Sequence, residues 1–162
     1  MQSISKLISS FLILIVITGC VTNPKNDPPI KEPESRIYGD AYEQVWRSMQ
    51  LALRKYPVKI NNIDLGVLET DYVRGDKVFT DPNDTRPKPG YRYKITVRVV
   101  RGRVEGKAAV EVIVLKSAEI QPDFFSGFQA VSSNGLEEIS ILYRIGRYLE
   151  IDRILTRNAA KN

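Results

Sequence analysis

The chain has 162 residues, with 24 Lys and Arg against 19 Asp and Glu for a formal charge of +5, one cysteine and no histidine. Without histidine there is no Ser-His-Asp or Cys-His arrangement, no usual zinc set and none of the commonest general base, so an enzyme is not expected. The basic excess is mild and both signs are interspersed, so nothing in the composition asks for nucleic acid.

Residues 1–20 read as one unit. Lys6 gives a positive start, and Leu7 to Ile17 is apolar apart from Ser9 and Ser10. A charged start and an apolar run of about 7–15 residues make a secretory leader. The run is too short for a membrane span, which needs about 20 residues. It closes on Ile17-Thr18-Gly19-Cys20, which resembles the lipobox of bacterial lipoproteins. That resemblance implies a leader over 1–19, cleavage after Gly19, a diacylglyceryl thioether on Cys20 and an acylated new amino terminus. Covalent lipid on Cys20 is the one non-protein group expected, with no cofactor and no metal. As the sole cysteine, Cys20 has no partner for an intramolecular disulfide. The acyl chains so implied exceed the two-signal threshold for stable anchoring. Val21, rather than Asp, follows the cysteine, which within the same resemblance implies the outer membrane.

Residues 20–38 are expected to be a tether. They carry Pro24, Pro28, Pro29 and Pro33, and proline fixes φ and lacks an amide donor, so neither a helix nor a sheet interior suits them. About 17 residues at roughly 3.1 Å each would reach about 50 Å.

A single folded domain is expected over 39–157, with 158–162 a tail. Its first helix starts at Asp40, where Asp40 and Glu43 are placed for a capping box. Tyr42, Val45, Trp46, Met49, Ala52, Leu53 and Tyr56 share one face at steps of three and four, and Pro57 ends the helix. Four strands follow. Val58 to Ile60 is short. Gly66 to Val73 alternates, with Leu68, Thr70 and Tyr72 on one face. Tyr91 to Arg101 has the clearest period of two, placing Tyr91, Tyr93, Ile95, Val97 and Val99 together. Glu105-Gly106 turns the chain into Lys107 to Lys116, whose Val110, Val112 and Val114 face inward, so the pair is an antiparallel hairpin. The last helix runs from about Gly135 to Arg157, capped by Ser133 or Asn134, with Glu137 and Glu138 at the positive end of its dipole. Ile139, Leu142, Ile145 and Leu149 form its inner stripe, and Gly146 within that stripe permits close approach to the sheet or first helix.

The fold class is therefore α+β: a four-stranded antiparallel sheet with two helices on one face, in the order α-β-β-β-β-α. Two long loops remain. Arg74 to Gly90 holds Asp76, Asp81 and Asp84 but lacks the glycine and twelfth-position Glu of an EF-hand, so a polar loop is expected. Ala118 to Asn134 gathers Asp123, Phe124, Phe125 and Phe128. These fold over an open end of the core, or stay exposed as an anchor for a partner or a lipid surface.

Tyr42-x-x-Val45-Trp46 through Pro57, then Gly66-Val67-Leu68-Glu69-Thr70-Asp71-Tyr72, and the closing Ile141-Leu142-Tyr143-Arg144-Ile145 resemble the helix-grip domains of the component C lipoprotein family of the outer-membrane barrel-assembly machinery. The resemblance covers about 39–157 and rests on core and turn positions. That family carries two such domains and a longer arm, where this chain has one domain and a short tether. The resemblance implies a single helix-grip domain, and the anchor, the empty catalytic inventory and the Phe loop point to a non-catalytic accessory or scaffold lipoprotein at the outer membrane. Its partner would be an envelope protein, from the barrel-assembly machinery or elsewhere, with Asp123, Phe124, Phe125 and Phe128 of the loop as candidate contacts. Two other readings stand beside it: a module binding a lipid or small apolar ligand between sheet and long helix, and an enzyme acting on cell-wall polymer.

Overall fold

The alternation that begins at Tyr91 builds the centre of the molecule. In the computed structural model, which describes residues 32–75, 77–83 and 90–161, β5 (Tyr91–Val104) and β6 (Lys107–Ile120) form a long antiparallel hairpin. Glu105 and Gly106 turn it with φ of 50° and 77°, the doubly positive geometry of a two-residue hairpin loop. Tyr93, Ile95, Val97 and Val99 of β5 and Val110, Val112 and Val114 of β6 are buried on one face, as the period of two requires. Both strands outrun the expected limits, by three residues beyond Arg101 and four beyond Lys116.

The remaining elements are β1 (Glu34–Tyr38), α1 (Tyr42–Ala52), β2 (Val58–Asn62), β3 (Val67–Thr70), β4 (Val73–Arg74), β7 (Gln129–Val131) and α2 (Leu136–Ala159). The architecture is α+β, with a large antiparallel sheet and two helices. Among the described residues the sheet has seven strands, not the four expected, in the order β1-β6-β5-β3-β2, with β4 on β5 and β7 on β6. The unexpected strands are short. β1 starts directly after Pro33 and pairs Glu34 to Tyr38 with Val114 to Val110, so the end of the stretch expected as tether belongs to the sheet. It lies at the sheet's edge, where a strand preceded by proline is tolerated.

β3 and β4 are one strand interrupted by a bulge. Thr70 Oγ1 accepts the Ile95 amide, while Val73 pairs with Tyr93. Three steps on one strand thus match two on the other, and an extra residue flips the side chains that follow it. Thr70 and Val73 are buried, and Tyr72, expected beside Leu68 and Thr70, is 37% exposed. At the start of β3, Gly66 has φ +64° and its carbonyl accepts the Val99 amide; a Cβ there would sit 2.3 Å from the Val99 carbonyl oxygen.

The whole predicted stripe of α1 and its following turn is buried, Trp46 included. The cap differs from expectation. Ala41 is the N-cap residue, and Gln44 reaches back to accept its amide. Asp40 instead takes a two-pronged contact from Arg153 of α2 at 2.7 and 2.8 Å. Gly135, in the left-handed region, caps α2, and Ser133 and Asn134 accept the amides of Gly135 and Leu136. Its buried stripe is Glu137, Glu138, Ile141, Leu142, Ile145 and Leu149. Ile139 is 44% exposed, so Ile141 takes the place expected for it. Gly146 faces β1: a Cβ would meet Tyr38 at an ordinary 3.7 Å, and the Tyr38 hydroxyl donates to the Leu142 carbonyl at 2.7 Å. Both helices share one core cluster with the inner face of the strands.

Candidate contact surfaces and a buried polar cluster

The inner face of β6 carries one charge. Lys116 lies opposite Ile95, and its Nζ is 2.7 Å from Glu137 Oε2, with side chains 9% and 0% exposed. The Tyr56 and Tyr93 hydroxyls both donate to Glu137 Oε1, at 2.6 and 2.8 Å, and the Lys116 ammonium stands 4.2 Å from the Tyr93 ring centroid. The carboxylate is thus held by one cation and two phenols, as a buried charge must be. Burial pushes Tyr56 and Tyr93 well above the ordinary phenol range, and the Glu137 carboxylate adds to the rise. Burial pulls the Lys116 ammonium down, but Glu137 more than offsets this, so its pKa lies above the usual lysine value. The cluster is enclosed and its groups are already paired, which suits holding β5, β6, α2 and the turn after α1 together. Next to it, Glu138 is 3% exposed and its Oε2 has no hydrogen-bond partner among the described residues. Sequence reading placed Glu137 and Glu138 on the helix dipole and missed this cluster, because its members stand at positions 56, 93, 116 and 137.

The acidic loop does not gather a metal set among its described residues. Asp81 is 9% exposed and accepts from Asn134 and the Asn83 amide. Asp76 and Asp84 lie outside the described residues.

Among the described residues, no helix lies on the outer face of the sheet. Ile37, Ile60, Val100 and Leu115 expose 56, 42, 47 and 37% of their surface there. Arg98, Lys94 and Glu69 stand among them, with Lys94 and Thr96 both bonded to Glu69. At the upper end of this face the Arg92 guanidinium lies 4.2 Å from the Tyr72 ring and 3.3 Å from the Phe128 ring and pairs with Glu119 at 2.8 Å. Phe128 is therefore half covered, at 42% exposure.

Phe124 and Phe125 are not covered. They are 88% and 95% exposed and meet each other edge to face at 5.6 Å. Asp123 organises the turn that carries them: one carboxylate oxygen accepts the Phe125 and Ser126 amides and the other accepts the Ser126 hydroxyl. These bonds hold its carboxyl below the usual aspartate value, the Ser126 hydroxyl contributing most. The Gln121 side chain also donates to the Ser126 carbonyl at 3.0 Å. Of the four residues expected as partner contacts, Asp123 is thus a brace, Phe128 a rim residue of the outer face, and Phe124 and Phe125 the exposed tip.

Between sheet and α2, where an apolar ligand was one expectation, the side chains of Met49, Val97, Val112, Ile141 and Ile145 are fully buried against one another in the core. On the solvent side of the helix pair, two adjoining depressions of about 150 Å³ each share Leu51 and Tyr148. Cys20 lies outside the described residues, and among those described no helix is long and apolar enough to cross a membrane. No protein-family model matches the chain, and no curated protein matches it.

Proposed function

We propose that this chain is a non-catalytic accessory lipoprotein of the bacterial cell envelope. In this reading a helix-grip-like domain, tethered at the outer membrane through lipid on Cys20, holds an envelope protein partner against the outer face of its sheet. The resemblance to the barrel-assembly component C lipoproteins makes that machinery the first partner to test. The observation that carries the reading is the sheet face left without a helix among the described residues, where Ile37, Ile60, Val100 and Leu115 stay exposed while Ile95, Val97, Val112 and Val114 on the opposite face are fully buried. Exposed aliphatic side chains interleaved with Glu69, Lys94, Arg98 and Glu111 have the mixed character of a non-obligate protein interface. The enclosed Lys116–Glu137 cluster supports the non-catalytic part, since its charged groups are paired and buried.

The test is photocrosslinking in envelopes from positions 100 and 115, paired with the double substitution Val100→Glu/Leu115→Glu. A reproducible envelope-protein adduct that the double substitution abolishes, with the fold retained by circular dichroism, is the expected result. Recovery of no reproducible partner from either position would sink the proposal.

A further inference from the structure

We infer that the Phe124–Phe125 turn is a membrane-contact element, both rings entering the headgroup–acyl boundary of the bilayer that holds Cys20. The inference rests on the proposed lipid anchor and adds to it a fixed orientation of the domain.

The direction of the chain carries the argument. β1 runs antiparallel to β6, from Glu34 opposite Val114 to Tyr38 opposite Val110. Followed backwards from Glu34, the chain leads toward the Ala118–Ile120 end of β6. β7 occupies the same edge of β6 at that end, with Val131 opposite Ala118 and Gln129 opposite Ile120. The exposed turn joins β6 to β7 there. The tether therefore leaves the domain on the edge, and toward the end, that carries Phe124 and Phe125. From Val114 to Ile120 the strand rises roughly 20 Å, while residues 21–33 can span at most roughly 45 Å. The length of chain before the domain thus allows the turn to reach the anchoring bilayer. At the opposite end, the β5–β6 tip presents Arg103, Glu105 and Lys107, all exposed.

The shape of the turn favours a bilayer over a protein pocket. Pro122 to Phe125 and Gly127 to Ala130 are exposed on both sides of the half-buried Ser126, so the rings project from a protrusion. A protein hot spot is ringed by further contacts that exclude water, and a protrusion offers no such ring. The Asp123 and Gln121 bonds keep the rings from collapsing onto the domain. The charge on Asp123 limits the depth to the interface, where apolar rings lie about 5–10 Å into the headgroup–acyl boundary.

The test uses the full chain as purified from a bacterial envelope and reconstituted in vesicles of phosphatidylethanolamine and phosphatidylglycerol, with and without lipids brominated in the upper acyl chain. Trp46, the sole tryptophan, is 4% exposed in the core and serves as the internal control. In the Phe125→Trp variant, brominated lipid is expected to cut the added indole's emission about twofold or more, while the unsubstituted chain is unaffected. A benzoylphenylalanine at position 124 is expected to give lipid adducts. Flotation separates the two readings. A chain that does not float has no anchor, and the inference falls with it. A chain that floats with the indole unquenched, or whose position-124 adducts are protein, keeps its anchor and overturns the inference alone.

Discussion

Lys116→Met tests whether the buried cluster holds the fold together. The Lys116 and Glu137 charges lie 2.7 Å apart with almost no exposure. At an effective dielectric near 20 their gross attraction is on the order of 6 kcal/mol. Several kcal/mol of desolvation per ion oppose it, so the net worth of the intact pair is small. Breaking it is another matter. Lys116→Met leaves a fully buried carboxylate with only the Tyr56 and Tyr93 hydroxyls as donors, at a cost of about 3–5 kcal/mol. Glu137→Gln strands the ammonium instead and costs a similar amount. In Lys116→Met/Glu137→Gln the site is neutral, and the Gln carbonyl still accepts both hydroxyls. The double variant is then expected to lose less than the sum of the singles by about 2 kcal/mol or more. Urea unfolding followed by Trp46 emission measures all three. The reasoning fails if Lys116→Met costs under about 1 kcal/mol, or if the singles add within about 0.5 kcal/mol.

Gly66→Ala should destabilise by about 2 kcal/mol or more in thermal unfolding, because it combines a positive φ with a Cβ set against the Val99 carbonyl. Gly146→Ala should do the reverse, gaining up to about 1 kcal/mol of helix propensity, since its Cβ meets Tyr38 at ordinary contact distance. Alkali should unfold the chain. Burial raises Tyr38 to about 12, against the opposing Arg36 charge, and raises Tyr56 and Tyr93 as well. The folded state then keeps protons that the unfolded state releases near pH 10, so each contribution is whole below that pH and is lost above it. For Tyr38 the loss is about 1.4 kcal/mol per pH unit up to about pH 12, and phenolate absorbance at high pH should show these three tyrosines ionising only with unfolding. Asp123→Ala should raise hydrogen exchange at the Phe125 and Ser126 amides, and Asp123→Asn, which keeps an acceptor oxygen, should raise it less.

Patterns repeated several times along one element were legible in the sequence. The α1 stripe from Tyr42 to Tyr56 and the alternation from Tyr93 to Val99 each state the same face four or more times, and each is buried as read. Single events were not legible. The bulge between Thr70 and Val73 shifts the phase by one residue and moves Tyr72 to the outer face, which alternation alone cannot register. β1 and β7 are five and three residues long and pair along one edge of β6, while β4 is the continuation past the bulge of the strand expected from Gly66 to Val73. In α2, Ile139 stands at helical spacing from Leu142 and Ile141 from Ile145, and the structure buries Ile141. Exposure of Phe124 and Phe125 depends on what lies above the turn. A signal for the turn itself was present: Asp123 followed at three residues by Ser126 is the sequence of a side-chain-braced turn.

The buried cluster and the exposed turn are connected through β6. Lys116 fixes that strand to α2 four residues before it ends at Ile120, and Tyr93 fixes β5 beside it. Beyond Lys116 the strand still pairs on both sides, Ala118 with Tyr93 of β5 and with Val131 of β7. The base of the Phe124–Phe125 turn therefore rests on paired backbone tied into the core by a buried charge. Two phenylalanines left in water favour any conformation that covers them, by about 1.5–3 kcal/mol each for full burial. Staying exposed requires a base that does not yield to that pull. If the cluster supplies that stiffness, Lys116→Met should raise hydrogen exchange at Ser126 before global unfolding. Unchanged exchange there would confine the cluster to global stability, leaving the turn to its Asp123 and Gln121 bonds alone.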